Sequence, residues 1–247
     1  MRITTTKKYN GGLFIADFES MPYGCSLWPA YWSYGTASWP ADGEIDILEG
    51  VNNQVTLVIP LLFLPRCQDL TVALMHRNAM TLHTGPQCFL NENPTSGSAS
   101  TPAFSGNVLS TSCESSSSSN TGCGIGDPDP SSYGAGFNKA GGGVFAHLWN
   151  HDGIKIWRFK RSSIPQDITS GNPDPSTWPI PIAFWSNTGC DVASHFRDHS
   201  LVIDTTLCGD WAGNVYGSSG CPGTCAQAVS EASNFGSKFV LFNAPCL

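Results

Sequence analysis

Gly43-Glu44-Ile45-Asp46-Ile47-Leu48-Glu49-Gly50 places three carboxylates inside a run of β-forming residues. Carboxylates are depleted in strands, so three in one short segment require a reason. Side chains alternate along a strand, which puts Glu44 and Asp46 on one face and Ile45 and Ile47 on the other. Strict alternation would then set Leu48 beside Asp46 and turn Glu49 away. A bulge around Ile47–Leu48 absorbs one residue and returns Glu49 to the carboxylate face.

With one residue absorbed by the bulge, the two glutamates are about four strand positions apart, ~13 Å at ~3.3 Å per residue. A bulge and side-chain convergence bring them toward the roughly 5–5.5 Å carboxyl separation of a retaining glycosidase. The same residues also suit a calcium site or a solvated strand edge. Aromatic company favours the first reading. Trp28, Trp32 and Trp39 precede the acidic run, with Tyr31 and Tyr34 interleaved. Indole faces stack on the C–H faces of sugar rings, so Trp32 and Trp39 suit either a carbohydrate cleft or core packing. Trp28 is read as core.

Composition narrows the field further. Only 13% of the 247 residues are charged, and the net charge is −7. Nucleic acid is disfavoured, because neutralising phosphates needs clustered Lys and Arg. Low charge with thirteen Phe, eight Trp and six Tyr also argues against disorder. The most apolar run, Leu57–Leu64, is broken by Pro60 and is far shorter than the roughly 20 residues of a membrane span. The N-terminus lacks an apolar signal-peptide core. Ten cysteines in Gly/Ser/Pro-rich surroundings favour disulfides in an oxidising compartment over zinc.

Short apolar runs punctuated by Gly, Pro, Asn or Asp predict an all-β sandwich or barrel. The expected strands cover Leu13–Ala16, Ile45–Leu48, Met80–Leu82, Val144–Trp149, Ile154–Phe159, Ile182–Trp185 and Leu201–Ile203. Asn150-His-Asp-Gly153 reads as a hairpin in which Asp-Gly supplies positive φ angles. Strand 154–159 is expected to have one face in and one out. Cys225–Ser233 is the one predicted helix. Segment 110–120, with Cys113 in it and Cys123 just beyond, reads as a cross-linked surface loop rather than a linker. The His195-x3-His199 pair has metal-ligand spacing but no third partner, and is read as chance; no metal is assigned.

Glu44-Ile-Asp-Ile-Leu-Glu49 resembles the E-x-D-x-x-E signature of glycoside hydrolase family 16 in its bulged, laminarinase-like form. Tyr9–Asp17, Met21–Cys25, Trp28–Trp32, Trp39-Pro40, Met80–Thr84, Thr121–Gly124, Ser194–Phe196, Cys208–Gly213 and Cys221–Cys225 are similar to secreted fungal endo-β-1,3(4)-glucanases. The resemblance implies a β-jelly roll of two packed antiparallel sheets, concanavalin A-like, with a glucan cleft on the concave sheet. It implies Glu44 as nucleophile, Glu49 as general acid/base and Asp46 between them, hydrogen-bonding and tuning the pair. Crowded like charges raise one pKa, keeping Glu49 protonated while Glu44 ionises. Trp32, Trp39, His83 and Trp211 match cleft-lining positions, although His83 fits equally well as a structural histidine. The expected protein is an extracellular monomer that takes a β-glucan polysaccharide, without cofactor, nucleic acid or membrane. A non-catalytic glucan-binding jelly roll and a family transglycosylase are the rivals. A serine hydrolase is disfavoured, since Gly217-Ser-Ser-Gly220 lacks nucleophile-elbow spacing.

Residues 1–247 read as one catalytic domain with two segments foreign to the family, 57–77 and 236–247, and with the family's first strands absent. Each foreign segment carries one cysteine beyond the family's eight, Cys67 and Cys246. Both segments read as introns translated into protein, the alternative being a natural lineage-specific loop and tail. Ser237-Lys-Phe239 can be encoded with the splice donor GTAAGT. Thr56-Leu-Val58, Leu70-Thr71 and His76-Arg77 can encode a donor, a branch site and an acceptor. The chain as written is therefore expected to fold poorly and show weak or no activity. Sequencing of the mature transcript should find both stretches removed; their retention in a transcript encoding a secreted, active enzyme would overturn the intron reading.

Overall fold

The computed structural model describes residues 1–53, 77–92 and 103–235, with a short strand pair at 56–57 and 74–75. Segments 57–77 and 236–247, with Cys67 and Cys246, lie almost wholly outside the described residues. The strands are β1 (Arg2–Thr4), β2 (Gly12–Phe18), β3 (Leu27–Gly35), β4 (Glu44–Glu49), β5 (Thr56–Leu57), β6 (Leu74–Met75), β7 (Ala79–His83), β8 (Asn107–Val108), β9 (Cys123–Gly126), β10 (Gly143–Asn150), β11 (Gly153–Lys160), β12 (Ala183–Ser186) and β13 (His199–Leu207). Seven form one sheet in the order β1-β13-β3-β4-β7-β9-β8, and four form a second in the order β12-β11-β10-β2; all pairings are antiparallel.

The main core lies between these sheets. Tyr31, Ile45, Ile47, Leu48, Met80, Leu82 and Ile125 of the larger sheet join Phe18, Phe145, Trp149, Ile154, Ile156 and Trp185 of the smaller one in one buried cluster. Burial of this apolar surface is the dominant force holding a sandwich closed. A second cluster covers the outer face of the smaller sheet, where Trp157 and Phe159 pack edge-on against Trp178. Strand β11 is thus buried on both faces, contrary to the one-in, one-out expectation. The segment after β11 returns over it: Ile164 and Ile168 join this outer cluster, and Trp157 Nε1 donates to the Pro179 carbonyl at 2.8 Å.

The β10–β11 hairpin turns at His151-Asp152, with Asn150 paired to Gly153. Only Gly153 of the four has positive φ, at 142°, so the expected pair of positive angles is absent. The helix begins at Cys225 as predicted but ends at Ser230, before a 3-10 turn at Ala232–Asn234. Its start is fixed by a capping box between Thr224 and Gln227. Four further short helices were not foreseen: α1 (Gly134–Lys139), α2 (Gln166–Thr169), α3 (Val192–His195) and α4 (Gly209–Asn214), the predicted one being α5 (Cys225–Ser230). None of them spans more than six residues, too few to show a helical repeat. No helix among the described residues is long and apolar enough to cross a membrane.

Among the described residues, four disulfides join Cys25–Cys221, Cys88–Cys190, Cys113–Cys123 and Cys208–Cys225. Cys113–Cys123 closes the serine-rich loop as the sequence suggested. His195 and His199 do not converge on a common ligand. His195 Nε2 lies 2.9 Å from the Pro86 carbonyl, while His199 is buried between Ser33 Oγ and the Asp42 carbonyl.

His147 of β10 stacks on Phe14 at 4.5 Å, and neither of its ring nitrogens has a hydrogen-bond partner. Burial, with His199 nearby, holds its pKa down to about 3. The unfolded chain accepts a proton near pH 6.5, so folding stability falls as pH drops from 6.5 toward 3. In calorimetry, His147→Leu should therefore gain Tm over the parent progressively between pH 7 and pH 4, by about a few degrees.

Candidate active site

The pairing of β3 with β4 is regular from Tyr34↔Glu44 to Trp32↔Asp46 and then slips, resuming at Tyr31↔Leu48 and Ala30↔Glu49. Ile47 is the extra residue. Ile47 and Leu48 both enter the core in succession, and Glu49 returns to the face that carries Glu44 and Asp46. Glycines bound the ribbon for steric reasons. A Cβ on Gly43 would meet the Phe196 ring at 2.4 Å, and one on Gly50 would meet the Tyr133 ring at 2.6 Å. Gly43 also has a φ of +80°, which L side chains rarely adopt.

Register carries the remaining groups to the same face. Glu44 pairs with His83, Asp46 with Thr81, Ala30 with Asp204 and Trp28 with Thr206. Together with Trp39 and Trp211 these side chains line a cleft of about 660 Å³. Trp32, Trp39, His83 and Trp211 are thus brought together with Glu44, Asp46 and Glu49. Trp28, read from sequence as core, is corrected: it lies in the cleft, edge-on to Trp211 at 5.7 Å. Because side chains alternate along β3, Trp28 and Trp32 share a face once that strand is recognised.

Each of three indoles donates its N–H to a different carboxylate. Trp39 Nε1 donates to Glu44 Oε2 at 2.8 Å, Trp28 Nε1 to Glu49 Oε1 at 2.8 Å, and Trp32 Nε1 to Asp204 Oδ1 at 3.3 Å. Asp46 Oδ2 faces His83 Nε2 at 3.3 Å without hydrogen-bond alignment, and His83 Nδ1 lies 2.8 Å from Ser115 Oγ. No hydrogen bond from Asp46 to either glutamate accompanies this. Its influence on them is electrostatic.

Burial first, and then repulsion from Asp46, raise the pKa values of both Glu44 and Glu49; Glu44 reaches about 8. Asp46 is raised by burial and by Asp204, and Asp204 itself by burial. The sequence reading expected one raised carboxyl and finds a raised cluster instead. His83, the Trp39 N–H and Arg2 pull Glu44 back toward ionisation. Asp204 and Arg2 were missed. Asp204 carried the same signal as the acidic ribbon, a carboxylate in the β-forming run Leu201–Leu207, but the predicted strand stopped at Ile203. Arg2 stacks over Trp32 at 4.8 Å and Tyr34 at 5.3 Å. Ligand atoms of Glu44, Asp46 and His83 lie within 4.8 Å of one another, a set around which a cation could gather.

The XgeA-like catalytic domain of glycoside hydrolase family 16 matches residues 1–68 and 70–243. The chain belongs to glycoside hydrolase family 16. It is 40% identical over 236 residues to a probable endo-1,3(4)-β-glucanase of Aspergillus flavus, covering 95% of this chain and 29% of that protein. It spans less than half the length of the curated relatives it matches. Laminarinase 16A of Phanerochaete chrysosporium, solved with 6-O-glucosyl-laminaritriose in its donor and acceptor sites, is 35% identical with a TM-score of 0.80; the match covers 96% of this chain and 72% of that one. An elongating family 16 β-1,3-glucosyltransferase is 37% identical with a TM-score of 0.77, at the same coverages. The two-sheet sandwich is therefore the jelly roll of the family 16 laminarinases.

The raised cluster has a stability consequence. With Glu44 titrating near 4.5 in the unfolded chain and about 8 in the folded one, the unfolded state releases its proton first. Stability is unaffected below pH 4.5, falls as pH rises toward 8, and is flat above. Glu44→Gln keeps an acceptor for Trp39 and removes this penalty. Its Tm gain over the parent should be near zero at pH 4 and grow to about several degrees by pH 8 in scanning calorimetry.

Proposed function

We propose that this domain is a retaining endo-β-glucanase acting on β-1,3 or mixed β-1,3/1,4 glucans without a cofactor. The observation that carries the reading is the bulge at Ile47, which puts Glu44 and Glu49 on one wall of a tryptophan-lined cleft. The glucanase relative and the glucan-bound laminarinase agree with it.

Glu44 is the nucleophile. The Trp39 N–H, His83 and Arg2 favour the ionised form in which it attacks the anomeric carbon. Glu49, held protonated by burial and by the charge of Asp46, gives its proton to the leaving oxygen. A covalent glycosyl-enzyme forms, and Glu49, now ionised, takes a proton from the water that releases the sugar. Asp46 tunes both. Trp32, Trp39 and Trp211 offer ring faces to the sugars, with His83 at the rim of the acid cluster. The four disulfides suit an oxidising, extracellular setting, and the domain acts as a monomer.

Transfer to a sugar acceptor in place of water would use the same groups, and one similar structure is that of an elongating β-1,3-glucosyltransferase. Product analysis separates the outcomes, since hydrolysis shortens laminari-oligosaccharides and transfer lengthens some of them. A glucan-binding protein without turnover would keep its affinity in Glu49→Ala. The hydrolase reading expects laminarin cleavage by that variant to fall about 10²–10⁴-fold. On 2,4-dinitrophenyl β-laminaribioside, whose leaving group departs without a proton, azide should restore turnover of that variant by attacking the glycosyl-enzyme in place of water, displacing Glu44 and yielding a β-glycosyl azide detectable by NMR. Trp39→Phe removes an N–H that favours ionised Glu44, so the acid limb of the kcat/KM profile should move to higher pH. An unmoved limb would remove Glu44 from the nucleophile role.

A further inference from the structure

The bulge that delivers Glu49 is a gap in the hydrogen-bond ladder. Pairing of β4 with β7 runs from Glu44↔His83 to Asp46↔Thr81 and stops there, just where the pairing with β3 slips. Past that point a side chain takes over from the neighbouring strand. Asn78 Oδ1 accepts from the Glu49 N–H at 2.8 Å, and Asn78 Nδ2 donates to the Ile47 carbonyl at 2.8 Å. A primary amide carries the same donor and acceptor as a peptide group, so one asparagine substitutes for a missing rung.

The clamp spans Leu48 and grips the peptide units on both sides of it. Aspartate could accept but not donate when ionised, and alanine could do neither. Asn78 is itself held, at 1% exposure. Its N–H donates to Ser132 Oγ at 3.0 Å, and its carbonyl accepts from the Asp127 N–H at 2.9 Å. Asp127 in turn is fixed by the buried Arg158, whose Nε donates to Oδ2 at 2.6 Å. Support therefore runs from the second sheet, through Arg158 of β11, to the backbone of Glu49.

We infer that Asn78 is the positioning residue for Glu49, fixing the backbone on either side of Leu48 so that the Glu49 carboxyl faces the cleft. The role of Glu49 rests on the function proposed above; the clamp itself does not. Misplacing a reacting group by about 1 Å costs on the order of 10²-fold in rate. The effect should fall on steps that need Glu49 and spare those that do not.

The test compares Asn78→Ala and Asn78→Asp with the parent, each expressed from the mature transcript, on laminarin and on 2,4-dinitrophenyl β-laminaribioside. The dinitrophenolate leaves without a proton from Glu49. For Asn78→Ala, kcat on laminarin should drop about 10²-fold with KM changed less than about threefold. The dinitrophenol burst should stay within about threefold of the parent, and azide should restore steady turnover of the aryl glycoside. Amide hydrogen exchange should show protection lost at Glu49 and kept at Ile45. Asn78→Asp, which keeps an acceptor for Glu49 but loses the donor to Ile47, should fall between the two and carries the comparison if the alanine variant does not fold. Undiminished laminarin turnover, or equal slowing of both substrates, would overturn the inference. If the parent cleaves neither substrate, the proposed function fails, and retained Glu49 protection in Asn78→Ala would then sink the clamp separately.

Discussion

One surplus residue in a single strand governs the site. A strand alternates its side chains with a period of two, so Glu44 and Glu49, five positions apart, belong by default on opposite faces. Ile47 cancels that parity by sending two consecutive aliphatic side chains into the core. Without it, either Glu49 would be buried in the core between the sheets, or the strand would slip and expose its isoleucines. Both alternatives cost more than the lost ladder bonds, because a charge in an apolar core is among the most unfavourable arrangements available. Core packing and cleft chemistry therefore enforce the same kink from opposite sides of the sheet.

The cleft concentrates acids with little positive charge to offset them. Glu44, Asp46, Glu49 and Asp204 all have raised pKa values, chiefly through burial. A lysine among them would relieve the repulsion and would also pin the carboxylates in one charge state. The indole N–H groups of Trp39, Trp28 and Trp32 are a milder answer. Each favours the ionised form of one acid while leaving its proton exchangeable. The same side chains line the cleft, so one residue type both tempers its charge and supplies its apolar surface. The folded state is less stable for it, in keeping with the general tension between active-site chemistry and stability.

Much of this was legible in the residues. The acidic ribbon declared itself by carboxylates where strands avoid them, and the parity argument located the bulge at Ile47–Leu48. The β10–β11 hairpin and the start of the last helix were also readable, the first from Asp-Gly and the second from its place just after Cys221-Pro-Gly223. Strand β3 was not, although it lies inside the larger sheet, between β13 and β4. Pro29 argues against a central strand. It is tolerated here just beyond the last β3–β4 pair, Ala30↔Glu49. Missing β3 hid the shared face of Trp28 and Trp32 and misplaced Trp28 in the core. Arg2, Asp204 and Asn78 act across 28 or more positions of sequence, and only register brings them together. Strand β11 looked one-sided because the cover over Trp157 comes from Ile164, Ile168 and Trp178, scattered through a later segment of loops and single helical turns.

The Cys25–Cys221 bridge joins points 196 residues apart and so encloses almost every element of the sandwich. Backbone scission anywhere between them yields two polypeptides still tethered by sulfur. For this domain, cleavage and separation are distinct chemical events. A nicked molecule keeps its halves at high effective concentration until a thiol intervenes, so exposure to proteases alone does not disperse it.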